Sequence, residues 1–156
     1  MKWGKITIPF AKGGSNKVII IIEQVKSHKT LGLIFQSNLK WNTFIEGMIS
    51  KASKRLHIIR ILKRNGVPVT DLEHIYTALI RSFLEYCAPV WHSQNPTFLS
   101  DELQNVQRRA LRILHPDKHY SKALILTRCP LLSDRRVNLC TKTFSKICTP
   151  QSRLNH

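Results

Sequence analysis

Residues 75–91, IYTALIRSFLEYCAPVW, are the stretch on which the predicted fold depends. Apolar side chains recur there three and four positions apart, which is the spacing of an α-helix with one buried face. The predicted inward positions are Ile75, Tyr76, Leu79, Ile80, Phe83, Leu84 and Cys87. We therefore expect a central core helix that ends at Pro89, with Phe83 and Trp91 near the middle of the domain.

The start of this helix is predicted by a separate signal. Thr70 and Glu73 have the spacing of a capping box, in which the hydroxyl accepts a hydrogen bond from the Glu73 amide and the carboxylate reaches back to the first residue. A helix so apolar on one side needs partners. Two flanking segments, around residues 48–62 and 103–114, are the candidates.

The first flanking segment changes to helical periodicity from Asn38 onward, and Gly66 and Pro68 are expected to close it. Its apolar positions are Phe44, Ile45, Met48, Ile49, Ala52, Leu56, Ile59 and Leu62. We expect this face to cover the central helix.

The chain after Trp91 is predicted as a loop over residues 91–97, followed by three helices. The first begins at Ser100, with Asp101 and Glu102 in its first turn, and ends at residues 115–117. A short helix near residues 121–126 and a last helix near 133–147 complete the prediction. The last helix is expected to face inward through Val137, Cys140, Phe144 and Ile147.

The N-terminal part has the composition of strands. Residues 5–10 (KITIPF), 17–25 (KVIIIIEQV) and 29–35 (KTLGLIF) are β-branched or aromatic runs separated by turn residues. We therefore predict an α+β protein: a short antiparallel β-meander over residues 1–37, a bundle of four or five helices over 38–147, and a frayed tail over 148–156.

The charge is strongly positive. Lys and Arg outnumber Asp and Glu by 25 to 9, which gives a net charge of +16. Residues 1–66 carry 13 basic and 2 acidic side chains, whereas residues 67–156 carry 12 and 7. A polyanion, above all nucleic acid, is the expected partner of such a field.

Other classes of protein are disfavoured. The longest apolar run, residues 18–22, is far shorter than the roughly 20 residues that span a membrane. The four cysteines show no CxxC spacing, which favours reduced thiols and an intracellular protein of the nucleus or cytoplasm. We predict no membrane partner.

Catalytic and metal-binding motifs are mostly missing from the sequence. Gly13 and Gly14 lack the GK[ST] of a phosphate loop, and no GxSxG elbow occurs. His115 and His119 have a possible zinc spacing with Cys129 further on, but the paired-ligand knuckle is missing. Two solvent-exposed loop histidines are the alternative. We predict no metal site.

The basic side chains of two helices are the remaining signal. At about 100° per residue, Lys51, Lys54 and Arg55 share one face of the first helix, and Arg60, Lys63 and Arg64 point elsewhere. Arg108, Arg109 and Arg112 span about 100° of the helix after Ser100. Solvated surface charge is the alternative to nucleic-acid binding, which needs cations without exact geometry.

Several segments, taken in order, resemble the C-terminal part of non-LTR (LINE-type) retrotransposon reverse transcriptases. The resemblance covers about residues 5–147. It is carried by KTLGLI (29–34), LKW (39–41), KASKRL (51–56), IRSFLEYCAPVW (80–91), LQNVQRRA (103–110) and the Arg135-Arg136 pair.

This resemblance implies a palm edge with a primer-grip-like turn at Lys29, Leu31 and Gly32, followed by a thumb-like helical domain from Trp41 onward. The implied partner is an RNA–DNA or DNA duplex, bound without sequence specificity. A glycine allows close backbone approach to a strand, and a β-bulge is the alternative reason for Gly32. A palm domain or another chain is a further possible partner.

The sequence departs from the family at the chemistry. The family's paired catalytic aspartates belong to the palm upstream of these segments, and nothing in this sequence replaces them. Because such phosphoryl transfer needs carboxylates that hold Mg²⁺, we predict no polymerase activity and no cofactor for this chain. A remnant or truncated reverse transcriptase is the first hypothesis. A stand-alone nucleic-acid or chromatin-binding module and a helical protein-interaction domain are the alternatives.

Overall fold

The computed structural model describes residues 25–149. The chain forms two compact units, Met1–Leu39 and Lys40–His156. The predicted strands at residues 5–10 and 17–25 lie outside the described residues, apart from Val25, and so does most of the predicted tail at 148–156.

The first unit contains a β-hairpin. Strand β1 (Ser27–Thr30) pairs antiparallel with β2 (Leu33–Gln36), and Lys29 lies opposite Ile34. Leu31 and Gly32 connect the strands with φ angles of 50° and 81°. Positive φ at both central residues is the requirement of the tightest hairpin turns, and it explains Gly32 without a bulge or a ligand. The prediction of one continuous strand over residues 29–35 was wrong.

The second unit is helical, and with the hairpin it confirms the predicted α+β class. Its α-helices are α1 (Asn42–Arg64), α2 (Val69–Ile75), α3 (Ser82–Leu84), α4 (Ala88–Trp91), α5 (Thr97–Leu114), α6 (Tyr120–Leu126) and α7 (Leu132–Cys148). A π-helical segment (Tyr76–Arg81) joins α2 to α3, and a 3₁₀ turn (His92–Gln94) follows α4. No helix among residues 25–149 is long and apolar enough to cross a membrane.

Helix α1 buries the predicted face and ends where predicted. Its buried side chains are Phe44, Ile45, Met48, Ala52, Leu56 and Ile59. At its C-terminus the Gly66 amide donates to Lys63 O at 3.1 Å and the Val67 amide donates to Leu62 O at 3.2 Å. This is the Schellman pattern, and Gly66 supplies the φ of +80° that the pattern requires.

The central helix, residues 69–84, buries Leu72, Tyr76, Ile80 and Leu84. These residues are four apart, so on an ideal α-helix each would be rotated about 40° from the previous one. The wider π-helical segment removes that drift and keeps all four on one side. Leu79, predicted to be in the core, is 47% exposed, because this register turns Ile80 inward instead.

The start of the central helix is also different from the prediction. Pro68 occupies the N-cap position, and no side chain caps the helix there, so the capping box of Thr70 and Glu73 does not form. Glu73 Oε1 instead accepts a hydrogen bond from His115 Nε2 at 2.9 Å. This contact joins the start of the central helix to the end of α5.

The central helix ends before Pro89. Cys87 adopts a left-handed conformation with a φ of 51°, and Pro89 lies inside the following turn, α4. Trp91 is fully buried as predicted, and its indole Nε1 donates to Tyr86 O at 2.8 Å. Phe83 and Cys87 are only half-buried. The predicted loop over residues 91–97 therefore begins with a core residue and contains a 3₁₀ turn.

Helices α5 and α7 correct two further predictions. Helix α5 begins at Thr97 behind Pro96, not at Ser100. Helix α7 was predicted to face inward through Val137, Phe144 and Ile147, but these side chains are exposed, and Cys140 is half-buried. Its buried residues are Leu132 and Arg136. The three exposed apolar side chains of α7 therefore do not pack into the core of the helical unit.

Candidate nucleic-acid interface

The basic residues of α1 divide between two edges of the helix. Arg55 lies on the edge beside the central helix, where its guanidinium donates to Leu79 O at 2.5 Å and lies 4.1 Å from the centre of the Phe83 ring. A backbone carbonyl has two lone pairs, so Leu79 O can accept from Arg55 as well as from a backbone amide. Arg55 therefore has a structural role between the two helices.

Lys51 and Lys54 lie outside this contact. Both side chains are exposed, and neither forms a hydrogen bond or an ion pair within the part of the chain that the structure describes. They are available to a partner in solution. The predicted face of Lys51, Lys54 and Arg55 thus contains two accessible cations and one that binds within the fold.

The three arginines of α5 point in different directions. The Nη2 atom of Arg109 donates to Ser53 Oγ of α1 at 2.7 Å. Arg108 donates to Asn105 Oδ1 at 2.6 Å and lies 5.3 Å from the ring centre of Tyr120 at the start of α6. Arg112 is exposed and has no hydrogen-bond partner among the described residues. All three guanidinium groups remain on the surface of the bundle.

Two further arginines join Arg109 and Arg112, and the sequence analysis did not assign them. At about 100° per residue, Arg60 and Arg64 lie within roughly 20° of Ser53 on the wheel of α1. Because Ser53 binds Arg109, this edge of α1 is the one that lies beside the arginine side of α5. We name the exposed residues Arg60, Arg64, Arg109 and Arg112 the α1–α5 ridge.

The α1–α5 ridge is positive without local neutralisation. None of its four guanidinium groups forms an ion pair with a carboxylate in residues 25–149. The acidic residues of the same helices are Glu46, Asp101 and Glu102, which lie in the N-terminal halves of α1 and α5. The C-terminal halves therefore carry positive charge that no acidic residue of these helices compensates. Arg60 and Arg64 are four residues apart, and Arg109 and Arg112 are three apart, so each pair could have been placed on one helix face from the sequence.

Lys63 shows how closely the two helices are joined at this end. Its ammonium group donates to Leu114 O at 3.1 Å and also to Ile113 O. These carbonyls are among the last of α5, which have no partner within the helix. Lys63 therefore caps α5 from α1 and holds the two halves of the α1–α5 ridge together.

The other predicted site residues have structural positions. Trp41 is 7% exposed and lies edge-on to Phe44, with ring centres 6.2 Å apart, and Phe44 in turn meets Trp91 at 6.4 Å. Trp41 is thus part of the aromatic core and presents little surface to a nucleic acid. Lys29, Leu31 and Gly32 are exposed in the hairpin, and Leu31 is 84% exposed.

Two of the resembling segments of the helical unit, residues 80–91 and the Arg135-Arg136 pair, contact each other. Glu85, from IRSFLEYCAPVW, accepts two hydrogen bonds from Arg135, at 2.5 Å and 2.9 Å. Arg136 lies 5.9 Å from the ring centre of Trp91 and donates to Ser100 Oγ at 3.1 Å. The Arg135-Arg136 pair therefore joins α7 to the central helix and to α4.

Arg136 is fully buried, and burial lowers its pKa to about 10. The nearby carboxylate of Glu85 acts in the opposite direction and favours the charged form. Burial also lowers the pKa of His92, with a smaller contribution from the positive charge of Arg136. Arg136 is therefore a buried cation of this core, next to the buried Leu132 of the same helix.

Gln107, from LQNVQRRA, organises the other side of the bundle. Its side chain is fully buried, its Nε2 donates to Pro130 O at 2.9 Å, and its Oε1 accepts from the Leu132 amide at 3.2 Å. Gln104 donates to the same oxygen at 2.5 Å. The Gln107 side chain thus provides hydrogen-bond partners for backbone groups in the connection between α6 and α7.

Comparison with family models, with curated proteins and with solved structures finds no significant match to this chain. The predicted resemblance to reverse transcriptases stays a prediction from the sequence. Within the helical unit, contacts join the resembling segments 51–56, 80–91 and 103–110 and the Arg135-Arg136 pair.

The histidines near the end of α5 do not gather metal ligands. His115 is engaged with Glu73, and His119 with Ser121 Oγ at 3.0 Å. Cys129 is buried and accepts a hydrogen bond from Arg81 at 3.4 Å. Among residues 25–149, no group of three or more His, Cys, Asp or Glu side chains could hold a metal ion.

Proposed function

We propose that this chain is a thumb-like part of a reverse transcriptase related to those of non-LTR retrotransposons, and that it binds nucleic-acid duplexes without itself polymerising DNA. The observation that carries the proposal is the α1–α5 ridge, four arginines on one side of two packed helices without carboxylate partners among the described residues. The hairpin with Lys29 and Leu31 is the second element of the proposal.

The chemistry of the α1–α5 ridge suits phosphate better than bases. Guanidinium groups bind phosphate oxygens through paired N–H donors, and this binding does not depend on base sequence. Arginine can also read guanine through paired hydrogen bonds, but phosphate contacts require no such register, so we propose binding without sequence specificity. Affinity is then expected to fall steeply with salt, because each neutralised phosphate releases counterions.

Fluorescence anisotropy with a labelled RNA–DNA heteroduplex, repeated over a salt series, tests this proposal. Duplex DNA and a simple polyanion serve as competitors. The test variant carries Arg60→Gln, Arg64→Gln and Arg112→Gln, which remove three exposed charges from the ridge. A matched control carries Arg128→Gln, Lys142→Gln and Lys146→Gln, which remove three exposed charges elsewhere in the helical unit.

If the ridge binds phosphates, the logarithm of the association constant falls less steeply with log salt for the test variant. The magnitude of the negative slope should decrease by about 2 to 3, because each phosphate contact contributes about 0.9 for a duplex. The control variant should lower it by less than about 1. Equal losses in both variants would contradict a localised interface. A preference for the heteroduplex favours the thumb-like function over a general nucleic-acid or chromatin-binding module.

One observation favours a second candidate function, a helical protein-interaction domain. Helix α7 exposes three large apolar side chains: Val137 by 51%, Phe144 by 67% and Ile147 by 37%. Apolar side chains grouped on one helix face are typical of protein contacts. Failure of the chain to bind any of the three polyanions at low salt would favour this candidate over the first.

A further inference from the structure

A groove beside α6 combines two lysines with two aliphatic side chains. It is lined by Lys118, Lys122, Ile125 and Leu126. Ile125 is 76% exposed and Leu126 is 56% exposed, which makes Ile125 the most exposed large apolar side chain of the described helical unit. Neither residue contributes to the core or to the α1–α5 ridge.

The groove has a firm base. Ala123, on the opposite side of α6, is buried, and the Tyr120 hydroxyl accepts a hydrogen bond from Gln104 at 2.6 Å. The Thr127 hydroxyl donates to Ala123 O at 2.8 Å and closes the end of the helix. Helix α6 is therefore held against α5 while its outer face, with Ile125 and Leu126, stays in solvent.

The charge around the groove is mainly of one sign. Lys118 and Lys122 line it, Arg108 lies against Tyr120 at the start of α6, and Arg128 follows the helix. Asp117 is the one acidic residue between positions 115 and 128. A partner therefore needs negative charge as well as apolar side chains.

We propose that this groove binds an acidic amphipathic helix of a protein partner. Such a helix would place aliphatic side chains on Ile125 and Leu126 and carboxylates next to Lys118 and Lys122, in the manner of helix-in-groove recognition. A nucleic acid is a poorer fit, because aliphatic side chains give its bases no stacking surface.

The proposal is independent of nucleic-acid binding by the α1–α5 ridge. It is tested on the full chain with a labelled peptide that places Leu at helical positions i, i+3, i+4 and i+7 and Glu elsewhere. A scrambled peptide of identical composition disperses the leucines and keeps the charge. Binding is measured by fluorescence anisotropy at two salt concentrations.

The patterned peptide should bind at least about tenfold more tightly than the scrambled peptide. Ile125→Ser with Leu126→Ser should weaken it at least about tenfold, and so should Lys118→Glu with Lys122→Glu. Lys142→Glu with Lys146→Glu on α7 makes the same change of charge outside the groove and should alter binding less than about threefold. Because all these positions are exposed, circular dichroism should show the same helix content in every variant.

Backbone amide chemical shifts provide a second readout. Titration with the patterned peptide should move the resonances of Ile125 and Leu126 and leave those around Phe144 on α7 in place. Equal binding of the scrambled peptide, or equal loss in the α7 control, would overturn the proposal in favour of nonspecific charge attraction. Shifts centred on Phe144 would overturn it in favour of the α7 face, and competition by duplex DNA or anionic vesicles for the groove residues would overturn the choice of partner.

Discussion

Two neighbouring residues of the central helix provide a sensitive test of its register. Ile80 is 1% exposed and Leu79 is 47% exposed, although an uninterrupted α-helix with the predicted apolar face would bury both. The π-helical segment is the cause of this difference. Substituting each residue by alanine in turn therefore tests the π-helical segment itself.

The structure gives different magnitudes for the two changes. Ile80→Ala removes a fully buried aliphatic side chain and should lower the free energy of unfolding by about 2–5 kcal/mol. Leu79→Ala removes a half-exposed side chain and should cost less than about 1 kcal/mol. The backbone carbonyl of residue 79 still accepts the hydrogen bond from Arg55. Alanine improves helix propensity at both sites by only a few tenths of a kcal/mol, up to ~0.7.

Urea denaturation followed by circular dichroism measures both variants on one scale. With a typical m-value of about 1–3 kcal/mol/M, the urea concentration at the unfolding midpoint should fall by roughly 1 M or more in the Ile80 variant. It should fall by about a few tenths of 1 M in the Leu79 variant. A Leu79→Ala loss as large as that of Ile80→Ala would refute the π-helical register. It would restore the continuous α-helix that the sequence pattern predicts.

Two further predictions concern buried polar groups. Burial raises the pKa of the Tyr76 phenol, so the folded form stays protonated above pH 10 while the unfolded chain loses the proton. The free energy of unfolding should therefore fall above about pH 10, by up to ~1.4 kcal/mol per pH unit from this group. Tyr76→Phe should remove this contribution to the pH dependence, as measured by urea titrations at pH 9–11. A wild-type slope that Tyr76→Phe leaves unchanged would contradict this. Gln107→Leu should cost about 1–3 kcal/mol, because Pro130 O and the Leu132 amide lose their partner; hydrogen exchange should show faster exchange of the Leu132 amide, and an unchanged rate would show that Gln107 does not hold this connection.

Helix limits were predicted best where glycine and proline fix the backbone. Gly66 and Pro68 close α1 as expected, because the Schellman pattern needs a residue that tolerates positive φ. The faces of α1 and α5 also follow their periodicity, since both helices keep regular α-geometry over many turns. Local chemistry was sufficient for these elements.

The errors arose where a tertiary contact overrides the local pattern. The Thr70 and Glu73 spacing is that of a capping box, but Glu73 contacts His115 from another helix instead. On α7, Arg136 is buried beside Trp91 and Ser100, whereas Phe144 is exposed. A rule that places arginine outside and phenylalanine inside is wrong for both residues.

The sequence predicted which helices carry the positive charge of the candidate site, but not which of their residues form it. The sequence indicated that the helices around residues 51–64 and 108–112 carry the excess of cations. It could not indicate that Arg55 donates to Leu79 O and packs on the Phe83 ring. Nor could it indicate that Arg60 and Arg64 lie on the edge of α1 that contacts α5. Those assignments depend on which helices are neighbours.

The number of cations in α1 and α5 exceeds what the fold uses. Positive charge stabilises the C-terminal end of a helix by about 0.3–1 kcal/mol per residue, but only within its last turn. In α1 that turn contains Lys63 and Arg64, and its carbonyls are already served by the Schellman pattern; in α5 it contains Arg112, and Lys63 already donates to the terminal carbonyls. Arg60 and Arg109 lie before the last turn and are not explained by this effect.

Repulsion among these unpaired charges opposes compaction of the helical unit at low salt. Exposed arginines without carboxylate partners among residues 25–149 therefore add repulsion to the helical unit. A bound polyanion would remove this repulsion, and the same field would stabilise the complex. Under the proposed function, binding a duplex is the reason for the α1–α5 ridge.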